Sequence, residues 1–321
     1  MILIKSIADD FSTTHIIKWL EYFGVPFLRI NDEKIISFSI ESGKRTRVNL
    51  ENEKSFVLEE IQAYWYRRGM WKFKSNAAAS TNTLYKVFDQ QDTANKKGLL
   101  KFLNESLKLC GDISDQNSAF EANKLDQLRK AEACGIPLPE YLVTTQKSEL
   151  LAFLAQHSSL ITKALTNAIY YVSEDVFFPP HTLLLDQSNV SRIPDVFAES
   201  LFQTLVLKKY EIRSFYFYGK FYSMAIFSQN DDQTKVDFRN YNWKKPNRNV
   251  PYQLPVCLEE KLQKLMELLQ LQSGSFDLIV TPDDQYVFLE VNPVGQFGMV
   301  SIPCNYGLEK LLAEHLAYGK Q

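Results

Sequence analysis

The chain has 321 residues, 45% of them apolar, and its 36 basic and 38 acidic residues leave a net charge of −2. At about 100–200 residues per domain, this length predicts two or three domains. The 22 phenylalanines and 16 tyrosines exclude a disordered chain, and the mixing of both signs of charge argues against a nucleic-acid partner. No apolar run approaches the roughly 18–20 residues of a membrane span, and the apolar start ends at Asp9, so neither a membrane segment nor a signal peptide is expected.

The cysteines indicate the compartment. They are far apart in the sequence: Cys110, Cys134, Cys257 and Cys304. There is no CxxC pair and no cluster of cysteine with histidine, so neither a zinc site nor a disulfide framework is expected. A reducing cytoplasm is therefore the predicted location.

The first third of the chain alternates between strand and helix patterns. Residues 2–6 are an apolar run that predicts a buried strand, and residues 13–23 place apolar side chains at helical spacing before a glycine. Residues 61–66 form a further apolar and aromatic strand. A polar break at residues 111–115 is the expected boundary. The pattern predicts an N-terminal α/β domain over residues 1–114.

The remaining two thirds change character near residue 200. Over residues 115–198, helices and short strands alternate around a proline-containing linker, which predicts a small central α+β domain. Over residues 199–321 the pattern is mainly antiparallel strands, with a hairpin at residues 275–291 and a final helix at residues 308–318. The expected fold class is therefore α/β combined with α+β, in three domains.

The hairpin carries the sharpest chemical signal. Glu290 and Asn292 are two apart on a strand and so share one face. Counting outward from a turn centred between Asp283 and Asp284 places Asp277 opposite Glu290. Two carboxylates and an amide oxygen suit a hard cation such as Mg²⁺, and carboxylates within apolar runs are costly to bury unless paired or metal-bound. On local chemistry alone, a metal site and a solvated strand end both stay open.

Three basic side chains precede this hairpin. Lys163 lies in an otherwise apolar or small strand, where it either snorkels to a sheet edge or faces an anion. Lys124 opens a helix, a position at which lysines are usually solvated. Arg213 alternates with Glu211 on a strand, and the alternative to a functional role is an exposed cross-strand ion pair.

Taken in order, these features resemble the ATP-grasp superfamily over residues 115–321. The set that carries the resemblance consists of Asn123-Lys124, residues 135–139, residues 161–163, residues 202–206, residues 211–213, Asp277 and residues 290–293. The resemblance implies an ATP-grasp fold preceded by an N-terminal α/β (pre-ATP-grasp) domain. It also implies that ATP lies between the central and C-terminal domains.

The resemblance implies how the nucleotide is bound. Lys124 and Lys163 are expected to contact the phosphates, and Glu211 is expected to hold the ribose hydroxyls. The backbone that reads adenine is expected in a hinge formed by Gln203, Thr204, Leu205 and Val206. ATP is therefore the expected cofactor.

A second set of residues is implied in catalysis and metal binding. Arg213, with Lys163, is expected to stabilise the phosphates or an acyl-phosphate intermediate, and Arg239 is expected near a phosphate or the substrate. One or two Mg²⁺ ions are expected on Asp277, Glu290 and Asn292. Phosphoryl transfer depends on positioning and charge neutralisation more than on a dedicated base, which agrees with the lack of any Ser/His/Asp or Cys/His arrangement in the sequence.

The segment after Lys163 departs from the superfamily pattern. Many ATP-grasp enzymes have a glycine-rich phosphate loop there, whereas residues 166–185 contain no glycine. The segment carries instead the aromatic and proline residues Tyr170, Tyr171, Phe177, Phe178, Pro179 and Pro180. A rigid hairpin of this composition suits peptide docking, and the alternative is that these aromatic side chains fill a small core.

The N-terminal domain narrows the resemblance. Residues 64–69, YWYRRG, resemble the Trp-Tyr-Arg-Arg segment of the microviridin-ligase group of ATP-grasp peptide maturases, also called graspetide synthetases. Residues 237–239 and 292–297 agree with that group, and the whole chain is most similar to its grasp-with-spasm subgroup. For Arg67 and Arg68 themselves, a solvated strand end, a structural ion pair and recognition of a substrate carboxylate stay open.

The narrower resemblance implies a function and partners. Such enzymes bind a ribosomal precursor peptide through its leader and join Asp or Glu side chains of its core to Ser/Thr hydroxyls or a Lys amine, as ω-ester or ω-amide macrocycles. The subgroup is associated with a SPASM-domain protein, and a homodimer is compatible with the group. Two alternatives stay open: a carboxylate–amine ligase that adds an amino acid to a protein or small molecule, and a non-catalytic peptide-binding scaffold.

Overall fold

The computed structural model describes residues 1–42, 45–74, 83–110, 123–166, 171–172, 177–178, 182–231, 234, 238, 240 and 242–319. The chain forms two compact units, one made of Met1–Ala119 with Gly307–Gln321 and the other of Phe120–Tyr306. Among the helices of these described ranges, none is both long and apolar enough to cross a membrane.

The described ranges contain helices and runs of consecutive strands. The helices are α1 (Phe11–Tyr22), α2 (Thr83–Lys108), α3 (Lys124–Ala133), α4 (Lys147–Gln156), α5 (Val256–Leu268), α6 (Gly298–Cys304) and α7 (Leu308–Tyr318). The strands are β1 (Ile2–Lys5), β2 (Phe27–Ile30), β3 (Ile35–Ser39), β4 (Arg47–Leu50), β5 (Ser55–Val57), β6 (Ala63–Tyr66), β7 (Tyr141–Gln146), β8 (Leu160–Lys163), β9 (Tyr171–Val172), β10 (Phe177–Phe178), β11 (Leu183–Leu185), β12 (Val196–Thr204), β13 (Tyr210–Phe217), β14 (Lys220–Phe227), β15 (Arg248–Tyr252), β16 (Ser273–Val280) and β17 (Tyr286–Asn292).

The first unit is built on a parallel sheet with the strand order β2-β1-β6. α1 connects β1 to β2. The side chain of Asp10 caps this helix by accepting a hydrogen bond from the Thr13 backbone N–H, and Ile16 and Leu20 bury its apolar face. β3, β4 and β5 form a second, antiparallel sheet. This region therefore has the α/β organisation that its sequence predicts.

The last helix, α7, belongs to the first unit. It packs on α1 and buries Leu308, Leu312 and Leu316. The sequence-based division instead groups this helix with the C-terminal domain. The spacing of the leucines identifies an apolar helix face but not the surface that this face covers, which is why the two divisions differ here.

The second unit contains two antiparallel sheets. The smaller sheet has the strand order β11-β8-β12-β7, and α4 covers one of its faces through an apolar cluster that includes Phe202. Because side chains alternate along a strand, Leu201 and Gln203 project to the opposite face. Their register partners on β8 are Lys163 and Ile161, so Lys163 and Gln203 share that face.

The larger sheet has the strand order β15-β14-β13-β16-β17, with β17 at one edge. α3 and α5 cover one face, in a core that contains Ile212, Phe276 and Phe288. The alternation of side chains places Glu211 and Arg213 on the opposite face. The polar residues singled out in the sequence are therefore separated from the apolar core by the sheet itself.

Arg67 and Arg68 both pair with the buried carboxylate of Asp10. The Nε atoms of Arg67 and Arg68 lie 3.3 Å and 3.1 Å from Asp10 Oδ2, and Arg67 is only 2% exposed. Burial by itself raises the pKa of Asp10, but attraction to Arg67, the hydrogen bonds from Thr13 and attraction to Arg68 outweigh it and hold the pKa below its ordinary value of 3.8. Of the interpretations open for these arginines, the structure shows the ion pair.

We predict that Asp10→Asn lowers the free energy of unfolding of the first unit by about 3 kcal/mol near neutral pH. The substitution leaves Arg67 buried without a counter-charge, while asparagine still caps α1. Tryptophan fluorescence during chemical denaturation measures the change, since Trp19, Trp65 and Trp71 all lie in the first unit.

The pH dependence has a definite sign. Because the folded pKa of Asp10 is lowered, its stabilisation is present above the unfolded pKa and is lost as the pH falls through the folded pKa, below 3.8. The difference between the variant and the wild type should therefore shrink in acid. Asp9→Asn, at an exposed neighbouring position, is the control, and equal midpoints for the two variants near neutral pH would contradict the prediction.

Candidate functional site

The predicted pairing in the hairpin is observed. Asp277 lies opposite Glu290, and Asn292 lies opposite Ser275. The strands do not pair regularly, however, because Leu278 lies opposite Phe288 and Leu289 has no partner across the ladder. β17 therefore contains a β-bulge next to Glu290.

The bulge decides which face the acidic residue occupies. Phe288 and Val291 are three residues apart, yet both belong to the apolar core. In a regular strand Glu290 would share the face of Phe288, so the extra residue turns Glu290 and Asn292 to the side of Asp277. Bulges that redirect a side chain in this way are common next to functional sites.

Arg213 occupies the strand on the other side of Asp277. The two residues are register partners on β13 and β16, and Nη1 of Arg213 lies 2.6 Å from both Oδ1 and Oδ2 of Asp277. The side chain of Arg213 is 6% exposed. Its Nε atom is buried and has no hydrogen-bond partner in the described part of the chain. Arg213 thus neutralises Asp277 and keeps one buried donor available.

Lys124 supplies the second positive charge. Its Nζ lies 3.4 Å from Glu290 Oε2 and donates a hydrogen bond to the Ala164 backbone oxygen at 3.0 Å. Asn123 fixes the start of α3, because its side chain accepts hydrogen bonds from the backbone N–H groups of Leu125 and Asp126. Lys124 therefore bridges β17 of the larger sheet and the segment that follows β8 in the smaller one.

The predicted hinge is a turn out of β12 with an unusual buried amide. Gln203 is 0% exposed, and neither Nε2 nor Oε1 has a hydrogen-bond partner among the described residues. Such a group is costly to bury unless something else satisfies it. The backbone N–H groups of Thr204 and Leu205 donate to Glu140 and Ser159 at 2.9 and 3.1 Å. A ligand at the hinge would therefore meet the backbone carbonyls and side chains of Thr204 and Leu205.

Glu211 is held by two buried partners. It accepts hydrogen bonds from Lys208 Nζ and, at 3.0 Å, from Ser228 Oγ. Burial raises the pKa of the Glu211 carboxyl above its ordinary value, and the charge of Lys208 opposes this rise. Lys208 and Ser228 were not singled out in the sequence. The one sequence feature that points to either residue is that Lys208 lies three positions before Glu211, just ahead of β13.

Other predicted residues are placed less fully. Lys163 ends β8, half-buried, on the same face as Gln203. Val206, the last residue of the predicted hinge, is half-buried. In the aromatic segment, β9 and β10 pair as an antiparallel hairpin, which agrees with the predicted hairpin in backbone form. Arg239, together with Tyr170, Pro179 and Pro180, lies outside the described residues.

The protein's own metal ligands are few. Within the described ranges, no group of three or more His, Cys, Asp or Glu side chains is arranged to hold a metal ion. The predicted set offers two carboxylates and the amide oxygen of Asn292. Mg²⁺ prefers six oxygen ligands, so water or phosphate oxygens would have to complete its coordination.

No family model and no curated protein matches the chain in sequence, but solved structures match nearly all of it. A RiPP-associated ATP-grasp ligase from Chryseobacterium gregarium, in complex with ADP and a leader and core peptide, has a TM-score of 0.83 at 23% identity, covering 100% of this chain and 97% of that one. The macrocyclase MdnC from Microcystis aeruginosa, bound with precursor peptide MdnA, has a TM-score of 0.79 at 24% identity, covering 100% of each chain.

A third match is more distant in sequence. The ATP-grasp ligase PsnB, complexed with a minimal precursor, Mg and ADP, has a TM-score of 0.68 at 13% identity, covering 98% of this chain and 96% of that one. The chain has the ATP-grasp fold. The expectation drawn from the ordered motifs is thereby confirmed at the level of the fold, and within that fold Lys124, Arg213, Asp277 and Glu290 lie in contact.

We predict that Asp277→Asn lowers the melting temperature of the second unit by about 5 °C or more. The reason is that Arg213 would remain buried with its counter-charge removed, which costs about 3 kcal/mol. Asp284→Asn is the matched control, because Asp284 pairs with Lys209 at an exposed position where an ion pair stabilises little. Thermal unfolding followed by circular dichroism measures both variants, and equal shifts would contradict the prediction.

Proposed function

We propose that the chain is an ATP-dependent peptide maturase, a graspetide synthetase. It would activate Asp or Glu side chains of a ribosomal precursor peptide as acyl phosphates, with release of ADP. Ser/Thr hydroxyls or a Lys amine would then displace inorganic phosphate to form the ester or amide link. The observation that carries the proposal is the convergence of Lys124, Arg213, Asp277 and Glu290 on one face of an ATP-grasp fold.

The phosphate end of the site fits a magnesium nucleotide. Asp277, Glu290 and Asn292 would hold one or two Mg²⁺ ions, with water and phosphate oxygens as the other ligands. Lys124, Lys163 and Arg213 would face the phosphates, and the buried Nε of Arg213 is a donor for which the described protein offers no acceptor. Bound ATP supplies the phosphoryl group that activates a carboxylate.

The other end of the proposed site has groups suited to the base and ribose of ATP. The buried amide of Gln203 has a free donor and a free acceptor among the described residues, which suits the edge of a base. Leu205 and Val206 would pack on the ring, and the carbonyls of the hinge would complete its recognition. Glu211, kept in place by Lys208 and Ser228, would accept hydrogen bonds from the ribose hydroxyls.

Charge neutralisation by the chain's own residues is the proposed catalytic contribution. Arg213 and Lys163 would stabilise the negative charge that develops on the transferring group and on the acyl phosphate, and Arg239 joins them on the resemblance alone. Preorganised cations in a partly buried site cost no reorganisation at the moment of reaction. Phosphoryl transfer depends on positioning and charge neutralisation more than on a dedicated base.

A peptide substrate is supported by the solved structures that share this fold. The matched ligases from Chryseobacterium gregarium and Microcystis aeruginosa, and PsnB, are each described with a precursor or with leader and core peptides. The matches extend over at least 96% of those chains, so they include the N-terminal unit as well as the ATP-grasp core. The glycine-free hairpin after Lys163 also favours a peptide partner.

The remaining partners rest on the subgroup resemblance. We propose a SPASM-domain protein as a functional partner and a homodimer as the assembly. We propose the cytoplasm as the location, which is supported by the wide spacing of the cysteines in the sequence and by the requirement for ATP.

The proposed reaction predicts two coupled products. Incubation with ATP, Mg²⁺ and a Thr/Asp/Glu-rich peptide encoded beside the gene should release ADP and remove one water from the peptide for each link formed. Arg213→Met and Glu290→Gln should lower the rate by at least about a hundredfold. Arg129→Met, at an exposed position on α3, is the control. Mass spectrometry and an ADP assay measure both products.

The alternatives give different results in the same experiment. A gain of mass from an added amino acid would identify the carboxylate–amine ligase. Peptide binding with no ADP release would identify the non-catalytic scaffold. The absence of both a mass change and ADP with a peptide that binds would overturn the enzymatic proposal.

The small number of protein ligands predicts that metal and nucleotide bind together. Mg²⁺ should bind at least about tenfold more tightly in the presence of ADP, because phosphate oxygens complete its coordination. Isothermal titration with and without ADP measures the coupling, and Asp277→Asn should weaken it. Equal Mg²⁺ affinity under the two conditions would contradict the assigned ligands.

A further inference from the structure

β17 is an edge strand, and a side chain takes the place of its missing neighbour. Gln127 of α3 is 4% exposed. Its Nε2 donates a hydrogen bond to the Val291 backbone oxygen at 2.9 Å, and its Oε1 accepts one from the Val291 backbone N–H at 3.1 Å. The amide therefore satisfies both polar groups of one edge residue, as a neighbouring strand would.

The residue held in this way lies between the two proposed metal ligands of β17. Val291 separates Glu290 from Asn292 and lies two residues after the bulge at Leu289. A bulge locally interrupts the ladder and bends the strand, so the backbone that presents Glu290 has fewer strand-to-strand constraints than its neighbours. The bonds from Gln127 restore that constraint at the adjacent residue.

The same helix also supplies the charge that meets Glu290. Lys124 and Gln127 are three residues apart on α3 and so lie on one side of it. Lys124 Nζ approaches Glu290 Oε2 to 3.4 Å, while Gln127 holds the next backbone unit. On the other side of the bulge, the Phe288 N–H donates to the Pro137 oxygen at 2.9 Å. α3 and the linker after it thus hold the backbone of β17 on both sides of the bulge.

We infer that Gln127 is a positioning residue for the metal site, setting the direction of Glu290 and Asn292 through the Val291 backbone. The inference rests on the proposed function only in taking Glu290 and Asn292 as ligands of a nucleotide-bound divalent cation. Groups that hold metal ligands in place commonly change metal affinity by about 10–100-fold when they are removed. The indirect path through the backbone places Gln127 near the lower end of this range.

The test uses the full chain with ADP and Mn²⁺ in place of Mg²⁺. Gln127→Met keeps the length of the side chain and removes both hydrogen bonds, whereas Gln127→Glu keeps only the acceptor for the Val291 N–H. Gln263→Met, at an exposed position on α5, is the matched control. Electron paramagnetic resonance of free Mn²⁺ gives the metal affinity of the ADP complex, and amide hydrogen exchange of residues 286–292 reports on the strand.

We expect Gln127→Met to weaken Mn²⁺ binding by about tenfold and to speed exchange at Val291, with Gln127→Glu intermediate and Gln263→Met unchanged. Excess Mn²⁺ should restore occupancy of the Met variant. Unchanged Mn²⁺ affinity together with faster exchange would overturn the inference, since Gln127 would then support only the strand. If the Met variant does not fold, the Glu variant decides by the same two measurements. A wild-type chain that binds no Mn²⁺ in the presence of ADP would instead refute the proposed function.

Discussion

Asp277 and Glu290 face each other on neighbouring strands, and like charges placed directly opposite destabilise a sheet. The protein meets this constraint with one cation on each side, Arg213 from the adjacent strand and Lys124 from α3. The group of four is close to neutral as a whole. The placement of α3 against β17, the register of β13 with β16 and the bulge in β17 are all needed to bring these charges together.

Buried polar groups that lack a hydrogen-bond partner lower the free energy of unfolding. Among the described residues, neither the amide of the buried Gln203 nor the Nε of Arg213 has a hydrogen-bond partner. Such groups cost about 1–3 kcal/mol each in a folded protein. By contrast Arg67, which is more deeply buried than Arg213, shares a carboxylate with Arg68 and stabilises the first unit. Buried charge is therefore structural in one unit, and in the other it is concentrated at the candidate site.

The sequence predicts that Asp277 and Glu290 lie opposite each other, but the count that gives this pairing leaves out the β-bulge on which the pairing depends. Counting from the turn placed Asp277 opposite Glu290, which is observed. The strands next to the turn are offset by one residue from that count, with Val280 opposite Tyr286, and only the bulge at Leu289 brings the two carboxylates into register. A bulge has no periodic signal in a single sequence. The apolar pattern of β17 nevertheless contains it, since Phe288 and Val291 are both core residues.

Residues that act through tertiary contacts were the ones that sequence reasoning missed. Gln127 looks like any polar residue of a short helix, because its partner is 164 positions away. Ser228 reaches Glu211 from just after the end of β14, 17 positions away, whereas Lys208 is only three residues before it. The packing of α7 on α1 likewise has no signal in the sequence. Periodicity identifies which face of an element is buried, whereas the identity of the covering surface depends on the whole fold.

Arg213 and Lys124 each have a carboxylate partner in the protein and a phosphate partner in the proposed function. If a divalent cation takes over the neutralisation of Asp277 and Glu290, both side chains become available to the phosphates that accompany that cation. The local charge then stays balanced, because the metal and the phosphates enter together. Under the proposed function, this exchange would keep the two opposed carboxylates neutralised both with and without the nucleotide. It would also account for the double role of Arg213 and Lys124, which stabilise the carboxylates in the protein and are assigned to the phosphates in the proposed function.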